Sequence, residues 1–479
     1  MLEGFLHTLF SHAHWIRVRT RLPIKKAIWF LSQVVAYRIM VSMNEHEEQF
    51  CTPIGVTNYR NPIPFYIKDK DRLYHMYAIG KTGVGKSTLL ENMAISDIQK
   101  GKGLCLIDPH GDIAEDILHY IPEDRIKDVV YFNPSDITHS NGFNPLKSVH
   151  PDHHHLVASG LVSVFKKIWE GKSWGTRMEE IFMKSLLTLL EYRHATMLDI
   201  EPLLTDQYFR NGILFRVKNP SLLNFWRNRF EKYSSALKAE SVSPILNKIG
   251  IFNTSIPLRN IVGQKYSSFT FQDVMDNGKI FIANLSKGKL GEETTAILGS
   301  MLVTNIQSAA LYRAIQKEEE RRPFYLYVDE AHSFISGSFA DILAEARKYK
   351  LGLFLAHQYI EQLSDPIRAA IFGNVGTMIA FRVGATDAEC LEKEFYPVFN
   401  KIDFINLPRY SMYLKLMIDG ATSQPFSADT LPLRECFKSF KNEVIAASKE
   451  TYAKPREDIE VGIFERNGSN NEEPKTLFA

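Results

Sequence analysis

The sequence predicts an α/β protein with a mainly parallel, doubly wound sheet that is interrupted by an inserted all-α domain. Continuous apolar runs occur at 75–80, 103–108, 129–132, 279–285, 324–329, 351–356 and 376–383, as strands buried on both faces of a parallel sheet require. Helical patterns alternate with them at 88–100, 292–318 and 338–349. Between the third and fourth runs, from about 148 to 268, the pattern is helical with no alternating strand.

The first run, His75–Ile79, is followed by Gly80-Lys81-Thr82-Gly83-Val84-Gly85-Lys86-Ser87-Thr88, which fits the phosphate-binding pattern G-x-x-x-x-G-K-[ST] at every position. Its glycines let backbone N–H groups curl around phosphates, and the helix that follows adds its positive end. Lys86 is expected at the β/γ-phosphates and Ser87 on Mg²⁺. The strand before and the amphipathic stretch after are the context the motif needs. The ligands read here are ATP and Mg²⁺.

The fifth run, Phe324–Val328, ends in Asp329-Glu330, and the sixth ends in His357-Gln358. A strand-end carboxylate suits the Mg²⁺ shell, so Asp329 is assigned opposite Ser87. Glu330 is the natural general base for an attacking water. Gln358 can contact a γ-phosphate and report its loss, or cap a strand in solvent. Arg347, on a short basic helix end ahead of the sixth strand, has two readings: an arginine finger toward a neighbouring subunit, or a cation favoured by a helix C-terminus.

Composition sets the frame. A chain of 479 residues suits two or three units with sizeable cores. Hydrophobic residues make up 45% and the net charge is +2, so no polybasic or polyacidic character marks the whole. Cys51, Cys105, Cys390 and Cys436 form no C-x-x-C pair, which fits a reducing cytosol without a zinc site or disulfide framework. No stretch reaches the apolar length of a membrane span. Residues 1–43 carry Arg17, Arg19, Arg21, Lys25, Lys26 and Arg38 against Glu3 alone. This basic, aromatic-containing arm reads equally as a helix on an anionic surface or as one packed on the body. His150 and His153–His155 follow no metal spacing, and Pro151-Asp152 marks a helix start.

These signals divide the chain into a basic N-terminal arm (1–60), a nucleotide-binding core (61–147 and 269–440), an inserted helical domain (148–268) and a polar, disordered tail (450–479). In the insertion, Arg210, Arg216, Lys218, Arg227, Arg229 and Lys232 alternate with Tyr208, Phe209, Phe215, Phe225, Trp226 and Phe230. Cations for phosphates and aromatics for bases compose a DNA-binding face. The same residues also suit a helix core with a solvated charged side. No base-reading motif is present, so DNA contacts would be to the backbone, without sequence preference.

Together, Asp329-Glu330, Ala346-Arg347-Lys348, Leu355-Ala-His-Gln358, Ile371-Phe-Gly-Asn374 and Phe381-Arg-Val-Gly384 resemble the HerA/FtsK superfamily. Within it, Ile107-Asp108-Pro109-His110-Gly111-Asp112 and the helical insertion are similar to the conjugative coupling proteins of type IV secretion (TraD/TraG/TrwB-like). The resemblance covers about residues 70–435. It implies a RecA-like P-loop NTPase core, a homohexameric ring and ATP-driven DNA translocation. It also implies Arg347 as the finger acting across subunits, Gln358 as the sensor, and a relaxase or secretion channel as partner. Asp108 is expected to border the nucleotide site. The alternatives are a protein-secretion ATPase of the same superfamily and a nucleotide-gated docking platform. The expected location is cytoplasmic, with the N-terminal arm available for peripheral contact with the inner membrane.

Overall fold

A computed structural model of the chain describes residues 49–59, 62–147, 151–169, 174–337 and 339–469. Most of the basic arm and the last ten residues therefore lie outside the described residues, as does the expected membrane contact. The strands, in chain order, are β1 (Cys51–Thr57), β2 (Pro64–Lys68), β3 (Met76–Ile79), β4 (Gly103–Asp108), β5 (Val129–Phe132), β6 (His139–Asn141), β7 (Ile280–Asn284), β8 (Phe324–Val328), β9 (Leu351–His357), β10 (Thr377–Ala380), β11 (Ser411–Lys415), β12 (Met417–Ile418), β13 (Ala421–Thr422), β14 (Phe426–Thr430) and β15 (Ala453–Pro455). All seven apolar runs are strands, and β3, β4, β7, β8 and β9 are buried throughout.

The chain divides into two compact units. The first joins residues up to Lys100 with Gly352–Gln362 and Phe372–Glu435. Its strands run in the order β2-β1-β14-β11-β10-β3-β9. β3 pairs in parallel with β9 and β10, where side chains face protein on both sides. From β10 outward the pairing turns antiparallel, through β11, β14, β1 and β2. The outer strands were not apparent as apolar runs. β2 alternates exposed and buried positions, and Pro53 and Gly55 interrupt β1, where the register shifts. β1 also falls inside the stretch expected to be an arm.

The second unit comprises Gly101–Leu351, Leu363–Ile371 and Cys436–Ala479. Its strands β8-β4-β7-β5 are all parallel. The insertion is helical at every described element, including His154–Ile168, Thr176–Glu191 and Ser235–Ile249. Helix His154–Ile168 packs so closely on Glu292–Tyr312 that a Cβ on Gly160 would lie 2.6 Å from Thr304 Cγ2.

The expected disordered tail is corrected over most of its length. Helix Lys441–Tyr452 leads to β15, which pairs with β6, and helix Arg456–Ser469 follows. Tyr131 N donates to Ser448 Oγ at 2.8 Å and Arg259 pairs with Glu460 at 2.9 Å, so this segment is tied to the unit's interior. Polar composition misled here because the helix shows mostly its charged side, while Val444, Tyr452 and Ile459 are buried.

Candidate nucleotide site and nucleic-acid surface

In the first unit, β3 delivers the chain into the loop Gly80–Gly85, and helix Lys86–Gln99 starts directly behind it. Two glycines are sterically required. A Cβ on Gly80 would stand 2.6 Å from Phe381 Cβ, and Gly85 has φ +122° with Tyr410 and Phe381 ring atoms just over 3 Å from where its Cβ would be. The loop is pinned from below: Gly80 N donates to His357 O at 3.3 Å and Lys81 N to Arg382 O at 2.9 Å. Lys81, Thr82 and Gly83 remain exposed at its mouth, as does Ser87. Buried Lys86 reaches back over the loop, its Nζ donating to Gly80 O at 2.6 Å and Lys81 O at 3.0 Å. A cation held against carbonyls at the mouth of a glycine loop, with a helix N-terminus behind it, suits phosphate chemistry.

Gln358 belongs to the same unit and is half-buried at the end of β9. The chain is fixed on either side of it, at His357 and at Ile360. Buried His357 meets Tyr77 Oη through Nε2 at 3.2 Å. Ile360 N donates to Asp387 Oδ1 at 2.9 Å. Burial raises the Asp387 pKa, with Glu361 pushing the same way, while the Ile360 amide and Lys81 pull it down.

The second unit carries the carboxylates. Asp329, 4% exposed, is anchored through its amide to Ile107 O at 3.1 Å. Glu330, also buried, has φ +46°, an uncommon conformation for a non-glycine residue and one that recurs at functional sites. Its carboxylate lies 3.4 Å from His332 Nδ1, and Lys167 Nζ from the insertion donates to His332 O. Arg347 is exposed on the short turn Ala346–Tyr349. The turn is backed by two arginines that carried no sequence signal: Arg313 Nη1 donates to Tyr349 O at 3.1 Å, and Arg321 Nη1 to Lys348 O. Asp108 accepts from His110 N at 2.8 Å and Ala114 N at 3.0 Å, so its carboxylate fixes the start of helix Asp112–Ile117.

The expected DNA-contacting set divides. Arg210 is corrected: it is 3% exposed, ion-paired with Glu231 and bonded to Leu203 O at 2.9 Å, so it holds the insertion together. Phe225, Trp226 and Phe230 are core side chains. Arg216, Lys218, Arg227, Arg229 and Lys232 are exposed, with Tyr208 and Phe215. Arg229 makes a two-pronged pair with Glu180 at 2.7 and 3.0 Å.

A mixed α/β sheet with this loop at the end of an inner parallel strand is the core of a RecA-like P-loop NTPase. Solved structures share that fold. The conjugative coupling protein TrwB, lacking its first 70 residues, is 16% identical at a TM-score of 0.56, over 83% of this chain and 91% of that one. TrwB with a non-hydrolysable ATP analogue gives 0.57 at the same identity, over 84% and 94%. VirB4 of Thermoanaerobacter pseudethanolicus is 14% identical at 0.52, over 82% and 98%. No curated protein matches the sequence. Residues 61–393 match the model of the type IV secretion-system coupling protein DNA-binding domain, and the chain belongs to that family. Among the described residues, no helix is long and apolar enough to cross a membrane.

Proposed function

We propose that this protein is an ATP-hydrolysing motor, assembled as a homohexameric ring, that moves DNA for type IV secretion. The observation that carries the proposal is the loop Gly80–Thr88, with Lys86 Nζ held at 2.6 Å from Gly80 O, in a chain of the coupling-protein DNA-binding family. The backbone amides of 83–87 bind the phosphates, and Lys86 exchanges its carbonyl partners for β/γ-phosphate oxygens. Ser87 and Asp329 are the residues that would hold Mg²⁺, which would supply positive charge to the transferring phosphoryl group. Glu330 takes the proton of the attacking water. Gln358 contacts the γ-phosphate, and Arg347 supplies positive charge to a neighbouring subunit's nucleotide.

The grip on DNA is assigned to the exposed cations of the insertion, Arg216, Lys218, Arg227, Arg229 and Lys232. These contact the backbone without reading bases. A relaxase or secretion channel is the expected partner at the ring.

The deciding experiment is the ATPase rate of the full chain with and without single- and double-stranded DNA. Stimulation by either, abolished in Lys86→Ala, supports the motor. A rate indifferent to every DNA would sink the translocase reading.

A further inference from the structure

One feature beside the phosphate loop has no task in this scheme. Arg409 and Tyr410 stand just before β11, and both side chains are exposed, Tyr410 by 40%. Yet the Tyr410 backbone is fixed on both sides: its N donates to Val84 O at 2.8 Å, and its O accepts from Thr430 N at 2.9 Å. It is held at φ +69°, an outlier for a bulky residue. Its ring lies against the last cradle glycine, with Cδ1 3.1 Å from where a Gly85 Cβ would be. The Arg409 guanidinium lies over that ring, 4.6 Å from its centroid.

A backbone held in a strained state so that an exposed ring meets a ligand loop points to function rather than packing. A nucleotide with its phosphates on the amides of 83–87 must lead its nucleoside out along the loop's rim, and Arg409 and Tyr410 form part of that rim. An aromatic face and a planar cation are the two side-chain surfaces on which purines stack.

We propose that Arg409 and Tyr410 form the stacking platform for the nucleoside of the bound nucleotide. This rests on reading Gly80–Thr88 as the phosphate cradle. Stacking offers no edge discrimination, so adenine and guanine nucleotides are both accepted.

The test measures binding of ATP, GTP and inorganic tripolyphosphate, each with Mg²⁺, to the full chain. Tyr410→Ala is expected to weaken ATP and GTP roughly 5- to 100-fold and leave tripolyphosphate unchanged. Tyr410→Phe keeps nucleotide affinity. Arg409→Ala, a change at an exposed side chain that cannot unfold the loop, shows the same selective loss to a smaller degree. Equal losses for ATP and tripolyphosphate in Tyr410→Ala, or unchanged ATP affinity in Arg409→Ala, would overturn the platform. Failure of the cradle itself reads differently: wild-type protein would then bind no tripolyphosphate, or Lys86→Ala would bind all three ligands normally.

Discussion

Asp97→Ala should be among the most damaging single changes away from the phosphate loop. Asp97 lies near the end of helix Lys86–Gln99, whose first residue is the cradle lysine. Its carboxylate takes both prongs of Arg72, Nη1–Oδ1 at 2.7 Å and Nη2–Oδ2 at 2.8 Å, and accepts from Thr52 Oγ1 of β1 at 3.2 Å. The two charged side chains are 2% and 0% exposed. Removing the carboxylate leaves a buried guanidinium that has lost its two-pronged partner and keeps only the longer contact with Asp69 at 3.8 Å, a loss of about 3 kcal/mol or more. Replacing Arg72 and Asp97 together by leucine removes both charges and is expected to recover most of that loss. At about 2–4 °C per kcal/mol for a unit of this size, Asp97→Ala should lower the first unit's melting temperature by on the order of 10 °C. Thermal scans of wild type, Asp97→Ala, Arg72→Ala and the double leucine variant read this out, with ATP binding reporting on the helix that carries Lys86. A shift of only one or two degrees in Asp97→Ala, or additive losses in the double variant, would refute the reasoning.

Asp136 gives a pH signature in the second unit. Partial burial works against its charge, but donors from Thr138, Lys449 and His139 outweigh it, and its pKa falls from 3.8 to about 2. A depressed carboxylate stabilises above its unfolded value and loses that contribution as pH falls through the folded one. The wild-type advantage over Asp136→Asn should therefore be present at neutral pH, about 1 kcal/mol after discounting for solvent, and vanish between pH 4 and 2 in urea titrations. Trp226 is fully buried, and its Nε1 donates to Thr188 Oγ1 at 2.8 Å, so Trp226→Ala should cost about 3–5 kcal/mol. Phe215, 88% exposed, should cost under about 0.5 kcal/mol when truncated, and calorimetry of the two variants separates core from surface. Lys86→Ala and Arg347→Ala subunits should each be inactive alone. Mixed rings should regain partial ATPase activity if Arg347 serves a neighbour, and no recovery in confirmed rings would count against that role.

The inner parallel strands were legible because burial on both faces writes itself as an unbroken apolar run. The phosphate loop was legible because its geometry admits few residues besides glycine. What stayed hidden depends on partners remote in sequence. Arg210 looked like a phosphate contact because composition cannot show that Glu231 neutralises it. The segments 51–57, 411–415 and 426–430 pair antiparallel with partners far along the chain, and short, mixed sequences such as Phe-Ser-Ala-Asp-Thr carry little periodicity. The turn holding Arg347 read as a basic helix end, whereas the buried Arg313 that supports it, paired with Asp276 at 2.9 Å, resembles any other arginine in sequence. Arg409 and Tyr410 left no motif at all, since only folding brings them to Gly85.

The same dependence on remote partners bears on the proposal that Gln358 senses phosphate. A sensing side chain is useful only if its origin is fixed relative to the loop it reads, so that a change in contact reports the ligand and not its own wandering. The carbonyl of the preceding residue, His357, accepts the amide of Gly80, the first cradle glycine. The His357 ring is held by Tyr77, a residue of the strand that delivers that loop. Two residues beyond Gln358, Ile360 is tied to Asp387, whose carboxylate feels the charge of Lys81 within the loop. Cradle and amide are thus two ends of one hydrogen-bonded frame inside a single unit. Arg347 stands only one short strand and its lead-in before Gln358 in sequence, but it belongs to the other unit. A rigid origin is what the proposed sensor role of Gln358 requires.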